Sequence, residues 1–401
     1  MLSVDEALQL VLQTVKPIAP RAVPLAEALG CKLAEDVASD VDSPPHDKSV
    51  VDGYAIQFDD LVQGKGTFRF VEEVTAGRVP QQIVQSGTTT RIMTGAPLPD
   101  GADTVVMVER STIDGDRVTL DDDRAKRGQH IVRRGSSMRR GDVVLDAGNA
   151  PLTPSQIGLL AEVGRATVRV VPRPRIAVLA TGDELVEPSQ IPGPGQIRNS
   201  NGPMLAAFLT ERRSQPVDLG ITRDVRDDLR NKISAGLQTD GLILSGGVSA
   251  GVLDLVPSVL AELGVKQVFH KVHLKPGKPL WFGTFTGDDG AVKPVFGLPG
   301  NPVSSLICFE LFVRPALAKM RAAADGDAPI ERTVSLAKPF MHRGDRPTYW
   351  PGRLADDGRG QALVWQGSGD LQAIAGADCV ICFPEGDRQY ETGDSVTIRL
   401  L

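Results

Sequence analysis

The chain has 401 residues, of which 41% are hydrophobic and 23% charged, a length that predicts two to four globular domains. Its net charge of −6 argues against a nucleic-acid surface, which normally carries a basic excess. The N-terminus lacks a basic segment followed by an apolar run, no apolar run reaches the roughly 18 residues of a membrane span, and four cysteines cannot form a disulfide framework. We therefore expect a cytoplasmic protein without nucleic-acid or membrane partners.

The N-terminal segment predicts a helix followed by a β-rich region. Ser3 can cap the helix and Glu6 can complete a capping box, while apolar residues recur at helical spacing behind them. Across residues 37–144 the pattern changes to short β-like runs broken by glycine, proline and aspartate. This change predicts a β-rich domain.

Three polar segments of the β-rich region are candidate turns. The segment 45–55 contains the pair Asp52-Gly53, which by itself predicts a hairpin turn. The segments 92–97 and 133–141 have the same character, and the charge of the latter fits a solvated surface equally well.

The middle of the chain predicts a doubly wound α/β domain. A short helix at 157–163 and a strand at 166–171 lead into a proline-containing linker at 172–174. Strands and helices then alternate, which implies a parallel sheet with right-handed crossovers. The predicted strands are 176–180, 217–221, 241–244, 268–274 and 295–297, and the predicted helices are 204–212, 226–237, 253–263 and 303–319.

The last part of the chain predicts a second β module. A linker at 322–328 is followed by about 70 residues of β-like pattern without a convincing long helix. A small barrel or sandwich fits this pattern. The predicted fold class is therefore multidomain α/β plus β, with a β-rich N-terminal region, a central doubly wound α/β domain and a small C-terminal β-barrel.

Four acidic residues follow strands of the α/β domain. Asp183 and Glu184 come after the 176–180 strand, Asp224 follows the second strand, and Asp254 follows the third. Loops at the carboxyl ends of parallel strands gather into one crevice, so we expect these acids to lie together. Carboxylates there can hold Mg²⁺ or orient a water molecule. For the first pair, an ordinary capped strand-to-helix turn is the alternative.

A glycine-rich turn after the third strand predicts an anion site. Small residues at Ser245, Gly246, Gly247 and Ser249 let backbone N–H groups approach a phosphate, and the next helix N-terminus favours negative charge. The lysine of a Walker loop is missing and the dinucleotide spacing fails, which argues against P-loop and nicotinamide-binding proteins. A tight strand-to-helix turn is the simpler alternative.

Two further segments add positive charge and hydrogen-bond donors. Lys271, Lys275 and Lys278 crowd a strand end and its turn, where ammonium groups suit an oxyanion or phosphates, although a lone lysine is usually solvated. The segment 297–305 combines a turn, a proline near a helix start and serine hydroxyls, which indicates a second anion-binding turn. Its candidate ligand-binding residues are Pro299, Gly300, Asn301 and Ser304.

Seven motifs occur in a characteristic order along the chain. They are Asp52-Gly53-Tyr54-Ala55, Met93-Thr94-Gly95-Ala96-Pro97, Thr181 to Leu185, Asn199-Ser200-Asn201, Gly246 to Gly251, Lys275 to Pro279 and Pro299 to Ser304. In this order they resemble the molybdopterin molybdenumtransferase family, which includes bacterial MoeA and the gephyrin E domain. The resemblance covers nearly the whole chain and is highly specific.

The resemblance implies an elongated homodimer with four domains per subunit. The implied limits are 1–45 with 141–172 for a linking domain, 46–140 for an inserted β-rich domain, 173–324 for an α/β molybdopterin-binding domain similar to MoaB and Mog, and 325–401 for a C-terminal β-barrel. The active cleft is then expected between the α/β domain of one subunit and the N- and C-terminal β domains of its partner.

The resemblance also implies a reaction and the residues that perform it. Adenylylated molybdopterin and molybdate bind, molybdenum is placed on the dithiolene, and AMP leaves with the assistance of Mg²⁺. The molybdopterin adenylyltransferase and recipient molybdoenzymes are further expected partners. Functional roles carry over to Asp52, Thr94, Glu184, Asp224, Asp254, Lys271, Lys275 and Ser368.

Together the two lines of reasoning give a candidate site. The acids Asp183, Glu184, Asp224 and Asp254 are assigned to Mg²⁺ and water positioning, and the three lysines to molybdate and phosphate. The two glycine-containing turns, together with Thr181 and Gly182, are assigned to the pterin substrate.

The chain departs from the family pattern at the edge of the site that the subunits are expected to share. Ser137 stands where the family usually has a carboxylate, and His46 replaces an aromatic residue. Pro351 stands where many members place an arginine, with Arg346 and Arg353 nearby as substitutes.

Two alternative functions follow from these observations. A molybdopterin adenylyltransferase would resemble only residues 174–320, so the length of the chain favours the molybdenumtransferase. A pterin-binding or scaffolding paralogue is suggested by Ser137 and Pro351, whereas the acids and lysines of the α/β domain argue against it.

Overall fold

The computed structural model describes residues 1–148, 150–248, 255–323 and 330–401. The chain forms two compact units, each built from segments that are separated in sequence. The first comprises Met1–Ala34, Gly148–Thr153 and Thr167–Leu401, and the second comprises Glu35–Ala147 and Pro154–Ala166. Among the described residues, no helix is long and apolar enough to cross a membrane.

The first unit contains a six-stranded mixed sheet, which confirms the predicted α/β domain. The strands follow one another in space in the order Gln215–Thr222, Arg175–Thr181, Gly241–Ser245, Val292–Leu298, Trp281–Thr286 and Lys266–His270. Four neighbours at one side are parallel, whereas Trp281–Thr286 is antiparallel to both strands beside it. Lys266–His270 therefore runs in the direction of the parallel strands.

The sheet differs from the prediction at its two last strands. The predicted strand 268–274 ends at His270, because Lys271 has a φ of 72° and leaves the extended conformation. The strand Trp281–Thr286 has no counterpart among the predicted elements, since Gly283 interrupts its β-prone sequence. A Cβ at Gly283 would lie 2.7 Å from the carbonyl oxygen of Lys266, so the close strand pairing requires glycine.

Helices cover both faces of the sheet, as a doubly wound fold requires. Along Arg175–Thr181, Ile176 and Val178 join one core while Ala177 and Leu179 join the other, because successive side chains of a strand point to opposite faces. The helices against the first core are Val4–Thr14, Asn201–Glu211, Pro302–Cys308 and Arg314–Met320, and those against the second are Arg226–Gly236 and Val256–Glu262.

The predicted helix at 303–319 contains a π-helical turn, Phe309–Val313, between its two α-helical parts. Pro315 follows this turn and has no N–H to continue the helical hydrogen-bond ladder. The turn buries Glu310, whose carboxylate accepts hydrogen bonds from Arg314 at 2.7 Å and from Arg212 at 3.3 Å. A buried charge network thus joins this helix to the end of helix Asn201–Glu211.

The N-terminal helix has the predicted capping box. The backbone N–H of Glu6 donates to Ser3 Oγ at 3.2 Å, and that of Ser3 donates to Glu6 Oε2 at 2.8 Å. After this helix the chain forms a three-stranded antiparallel sheet. In it, two strands from the N-terminal segment pair with the strand Thr167–Val171. The order of these strands is Arg21–Pro24, Thr167–Val171 and Lys32–Leu33.

The second unit is β-rich, as predicted, and contains a six-stranded sheet. Its strands are ordered Thr104–Met107, Gly53–Ile56, Thr88–Ile92, Lys65–Val74, Arg117–Asp121 and Ser111–Asp114. Tyr54, Phe68 and Leu120 form part of its core. Further elements of this unit include the helix Pro154–Glu162 and the strand pairs Lys48–Ser49 with Ile131–Val132 and Val37–Ala38 with Val143–Leu145.

The C-terminal part of the first unit is also β-rich, as predicted. Its five-stranded antiparallel sheet has the order Glu331–Ser335, Ser395–Leu400, Cys379–Phe383, Thr348–Leu354 and Gly360–Ala362. The strand pair Phe340–His342 with Arg388–Tyr390 and the short helix Leu371–Ala375 complete it. Phe383, Tyr390 and Ile398 are buried in its core.

Candidate functional site

Two adjoining cavities lie where loops of the first unit meet at one edge of the mixed sheet. The carboxyl ends of the parallel strands point to this edge, and so does the end of Lys266–His270. Pro279, Pro299 and Asn301 line both cavities. A ligand that reaches from one cavity into the other would therefore contact these three residues.

The first cavity has a volume of about 520 Å³. It brings together six of the predicted ligand-binding residues, namely Thr181, Glu184, Ser245, Pro299, Gly300 and Asn301. Its wall also contains Asn199, Ser200 and Asn201, which form one of the seven motifs but have no predicted role of their own. Their side-chain amides and hydroxyl make this wall a hydrogen-bonding surface.

Asn201 organises the polar wall of the first cavity. Its side-chain nitrogen donates to Ser245 Oγ at 2.7 Å and to the carbonyl oxygen of Gly300 at 2.7 Å. Both donors are thus used, while Asn201 Oδ1 and Thr181 Oγ1 are buried without a hydrogen-bond partner among the described residues. An unpaired buried polar atom costs about 1–3 kcal/mol, so these two atoms reduce the local stability.

Asn199 fixes the position of Asn201. Its Oδ1 accepts a hydrogen bond from the backbone N–H of Gly202 at 2.9 Å, at the start of helix Asn201–Glu211. A Cβ at residue 202 would lie 2.8 Å from Asn199 Nδ2, so this contact needs glycine. Asn199 therefore stabilises the helix start, and Asn201 forms part of the cavity wall.

The second cavity has a volume of about 440 Å³ and carries positive charge. It contains the predicted residues Lys275, Lys278, Ser304 and Ser368, and its wall includes Arg346, Trp350 and Trp365. Lys275 is half-buried and Lys278 is exposed. Within the described part of the chain, neither ammonium group makes a hydrogen bond or an ion pair with another residue. Both charges are therefore available to an anion.

Lys275 is held in place through its backbone. Its N–H donates to the carbonyl oxygen of Pro347 at 2.9 Å, and its own carbonyl accepts from the N–H of Tyr349 at 2.8 Å. The lysine turn is thus tied to the beginning of strand Thr348–Leu354. Lys271, by contrast, lines neither cavity.

The predicted glycines act by permitting close approach of the strand ends. Gly246 has a φ of 95°, and a Cβ there would lie 2.4 Å from the carbonyl oxygen of Thr181. A Cβ at Gly247 would lie 2.7 Å from the hydroxyl oxygen of the same threonine. The N–H of Gly246 donates to the carbonyl oxygen of Leu298 at 3.0 Å, so it is not free for an anion. A Cβ at Gly182 would lie 2.5 Å from Glu184 Oε2, so glycine leaves room for this carboxylate.

The predicted metal-binding acids are only partly brought together. The N–H of Asp224 donates to Asp183 Oδ1 at 3.3 Å, whereas Glu184 lines the first cavity. Among the described residues, no three His, Cys, Asp or Glu side chains form a group that could hold a metal ion. Asp254 and Ser249 lie outside the described residues.

Asp52 and Thr94 meet in the second unit. Asp52 Oδ1 accepts hydrogen bonds from the backbone N–H of Thr94 at 2.7 Å and from its hydroxyl at 2.8 Å. The backbone N–H, followed by the hydroxyl, holds the pKa of the Asp52 carboxyl below its usual value. Asp52 is therefore an exposed, ionised carboxylate in a fixed orientation.

Arg346 and Arg353, the two arginines expected to substitute for the one absent at Pro351, differ in their surroundings. Arg353 donates from Nε and Nη2 to the carbonyl oxygen of Gly376, at 3.1 and 2.7 Å, and lines neither cavity. Arg346 lines the second cavity. Pro351 itself pairs with Val380 inside the C-terminal sheet. Ser137 is exposed, with its N–H donating to the carbonyl oxygen of Ser43.

Three family models match successive parts of the chain. Residues 2–164 match the "MoeA N-terminal region (domain I and II)", residues 177–319 the "Probable molybdopterin binding domain", and residues 333–401 the "MoeA C-terminal region (domain IV)". Both units of the structure thus contain matched segments.

Relatives and solved structures match over nearly the full length. The chain is 34% identical to a molybdopterin molybdenumtransferase of Staphylococcus aureus over 99% of this chain and 95% of the relative. Identity to a protein of the same name from Nostoc sp. is also 34%, over 94% and 87% of the two chains. A crystal structure of the molybdopterin biosynthesis MoeA protein from Pyrococcus horikoshii has a TM-score of 0.75 and 29% identity, covering 100% of this chain and 99% of that one.

Proposed function

We propose a reaction for this chain from one premise: it belongs to the molybdopterin molybdenumtransferase family, the MoeA proteins, and acts in molybdenum cofactor biosynthesis. In this proposal the substrate is adenylylated molybdopterin. Molybdate delivers molybdenum to its dithiolene, and AMP is released with the assistance of Mg²⁺. The observation that carries the proposal is the pair of adjoining cavities, one lined by polar side chains and one with unpaired positive charge.

The first cavity is suited to the pterin part of the substrate. A pterin ring presents hydrogen-bond donors and acceptors at its edge, and Asn199, Ser200 and Asn201 line the cavity with amide and hydroxyl groups. Ser245 Oγ accepts from Asn201 and can direct its own proton to a ligand acceptor. A planar heterocycle with donors and acceptors on one edge would suit this polar lining.

The second cavity is suited to an oxyanion. Lysine acts as a compact point charge that pairs with molybdate or phosphate oxygens without requiring one approach direction. Lys275 and Lys278 supply two such charges, and Ser304 and Ser368 add hydroxyl donors. Because the two cavities share a wall, an oxyanion here would lie beside a substrate in the first cavity.

The acids fit Mg²⁺ by their chemistry, since this ion takes oxygen ligands from one or two carboxylates and keeps several waters. Asp183, Glu184 and Asp224 do not form a three-carboxylate group, so one or two of them would hold the ion while waters complete its coordination, with Asp254 as a further candidate. Mg²⁺ would neutralise charge on the phosphates that link the pterin to AMP. Glu184, which faces the first cavity, would also orient a water molecule at that linkage.

We also propose that the active protein is a homodimer whose cleft is completed by Asp52 and Thr94 of a second copy. The same proposal includes the four domain limits given above. It also includes binding of the chain to the molybdopterin adenylyltransferase and to recipient molybdoenzymes. A homodimer closes by two-fold symmetry, so each cleft would receive the same contribution.

The direct test is AMP release from adenylylated molybdopterin, with and without molybdate and Mg²⁺. Wild-type protein should need both ions. Lys275→Ala should slow release by about 10- to 100-fold, the value of a lost charge-assisted contact. Lys266→Ala, which removes an exposed lysine outside both cavities, should leave it unchanged. Tight substrate binding without AMP release would instead indicate a carrier or scaffold.

A further inference from the structure

We infer that Asn201 and Gly202 form a deamidation site in the wall of the first cavity, and that the Asn199 side chain keeps this site closed. The proposed function assigns no covalent change to this wall, so the inference goes beyond it. The reacting groups belong to this chain, and water is the co-reactant.

The first step is the chemistry of the pair. Glycine has no Cβ, so an asparagine before glycine is little hindered toward attack by the next backbone nitrogen on its side-chain amide. The nitrogen of Gly202 would lose its proton and form a bond to Asn201 Cγ. The bond from Cγ to Nδ2 would then break, and ammonia would leave with that proton. Water opens the resulting cyclic imide at either carbonyl, which leaves aspartate or isoaspartate at position 201.

The second step is what holds this reaction back. The backbone N–H of Gly202, which must lose its proton, is buried and donates to Asn199 Oδ1 at 2.9 Å. The amide that would be attacked is also fixed, because Asn201 Nδ2 donates to Ser245 Oγ and to the carbonyl oxygen of Gly300, at 2.7 Å each. The imide ring can form only when the backbone at Asn201 leaves the helical conformation. The hydrogen bond to Asn199 therefore has to break first.

The third step explains why a reactive pair stands at this position. A Cβ at residue 202 would lie 2.8 Å from Asn199 Nδ2, so the close approach of the Asn199 side chain requires glycine. The start of helix Asn201–Glu211 also depends on this contact, because the side chain of Ser200 makes no capping hydrogen bond. Asn199 therefore both requires the reactive sequence and makes the contact that protects it.

The fourth step is the consequence for the first cavity. A carboxylate at position 201 has no N–H for the carbonyl oxygen of Gly300 and would set a charged oxygen against it. It would also add a second negative charge to a cavity that already contains Glu184. Opening of the Asn199 contact would thus convert a hydrogen-bonding wall into an acidic one, irreversibly.

The experiment incubates full-length wild type, Asn199→Ala and Asn199→Asp at mildly alkaline pH and follows Asn201 by peptide mapping with mass spectrometry. We expect Asn199→Ala to convert about 3- to 10-fold faster than wild type, the value of one lost hydrogen bond. Asn199→Asp should convert at close to the wild-type rate, because its carboxylate can still accept from the Gly202 N–H. Asn231, an exposed residue of helix Arg226–Gly236, is the internal reference and should convert equally in all three proteins.

Wild type unfolded in urea gives a comparison that does not depend on the folding of any variant, and its Asn201 should convert faster than that of the folded chain. Equal rates in folded and unfolded wild type would overturn the inference. So would equal rates in Asn199→Ala and wild type, or the same acceleration in Asn199→Asp as in Asn199→Ala. None of these measurements uses AMP release, so their failure leaves the proposed function intact.

Asn201→Asp makes one product of the reaction directly and tests the consequence. It should melt at a lower temperature than wild type, because the donors to Ser245 and Gly300 are lost. An unchanged melting temperature would overturn the claim that the amide maintains this wall.

Discussion

The Asp52 carboxylate shows how hydrogen bonds fix the orientation and the charge of a single exposed residue. Two hydrogen bonds from Thr94 fix its orientation and favour its charged form. A group whose pKa is lowered on folding contributes stability that is present above the unfolded pKa, about 3.9 for aspartate, and is lost as the pH falls through the folded pKa. The contact therefore operates at neutral pH and fails only in acid.

We predict that Thr94→Ala raises the pKa of Asp52 part of the way to its ordinary value. The hydroxyl donor is lost while the backbone N–H remains, so the shift should be partial. Carboxyl resonances followed by NMR during an acid titration provide the measurement, and Thr94→Ser, which keeps the hydroxyl, is the matched control. An identical Asp52 titration in Thr94→Ala and wild type would show that the hydroxyl has no such role.

Single residues of the site were predictable where their type carries the chemistry. The charged residues Glu184, Lys275 and Lys278, which follow strands, line the two cavities, whereas Asp183, Asp224 and Lys271 line neither. Asn201 was not assigned a role, since an asparagine beside Ser200 fits an ordinary helix start equally well. Its importance comes from contacts with Ser245 and Gly300, which are distant in sequence. Such pairings appear only when the strands are assembled.

At the scale of elements, the alternation of strands and helices predicted the α/β layers correctly. The antiparallel strand Trp281–Thr286 was missed because Gly283 breaks its pattern, and its partner Lys266–His270 was predicted too long. The positive φ of Lys271 ends that strand, and sequence periodicity does not report backbone conformation at a single residue. The π-helical turn Phe309–Val313 was equally invisible, since its residues also fit an α-helix.

The same π-helical turn yields a stability prediction. Glu310→Ala removes the buried carboxylate that pairs with Arg314 and Arg212, and breaking a buried pair costs about 3–5 kcal/mol. We expect the free energy of unfolding to fall by this order and the melting temperature to fall clearly.

Glu211→Ala is the matched control for that prediction. Glu211 pairs with the same Arg212 at 3.6 Å, but its side chain is 58% exposed, so the loss should be less than about 1 kcal/mol. Calorimetric unfolding of the two variants beside wild type makes the comparison. Equal melting temperatures for Glu310→Ala and Glu211→Ala would mean that burial does not increase the stability contributed by the Glu310 ion pairs.

At the scale of the whole molecule, the prediction concerns the proposed pairing of two copies of the chain. The proposed homodimer completes each cleft with Asp52 from one copy and Glu184 from the other. Mixing inactive Asp52→Ala and Glu184→Ala subunits should then restore up to about a quarter of the active sites, because random pairing creates heterodimers with one intact cleft. The division of each subunit into four domains also remains a prediction from the family resemblance.

Activity after subunit exchange is the measurement, and exchange must be verified with differently tagged subunits. Each variant mixed with itself serves as the control and should stay inactive. If exchange is complete and no activity returns, the two residues belong to a cleft within one subunit.

The measurement that bears most directly on the proposed reaction is the amount of molybdenum bound to molybdopterin relative to AMP released. Wild-type protein with molybdate and Mg²⁺ should yield the two products in equal amounts. Glu184→Gln should lose both together, whereas Glu187→Gln, an exposed neighbour outside both cavities, should keep both. AMP released without molybdenum on the dithiolene, or molybdenum bound while AMP is retained, would contradict a single cleft in which the oxyanion and the nucleotide are handled together.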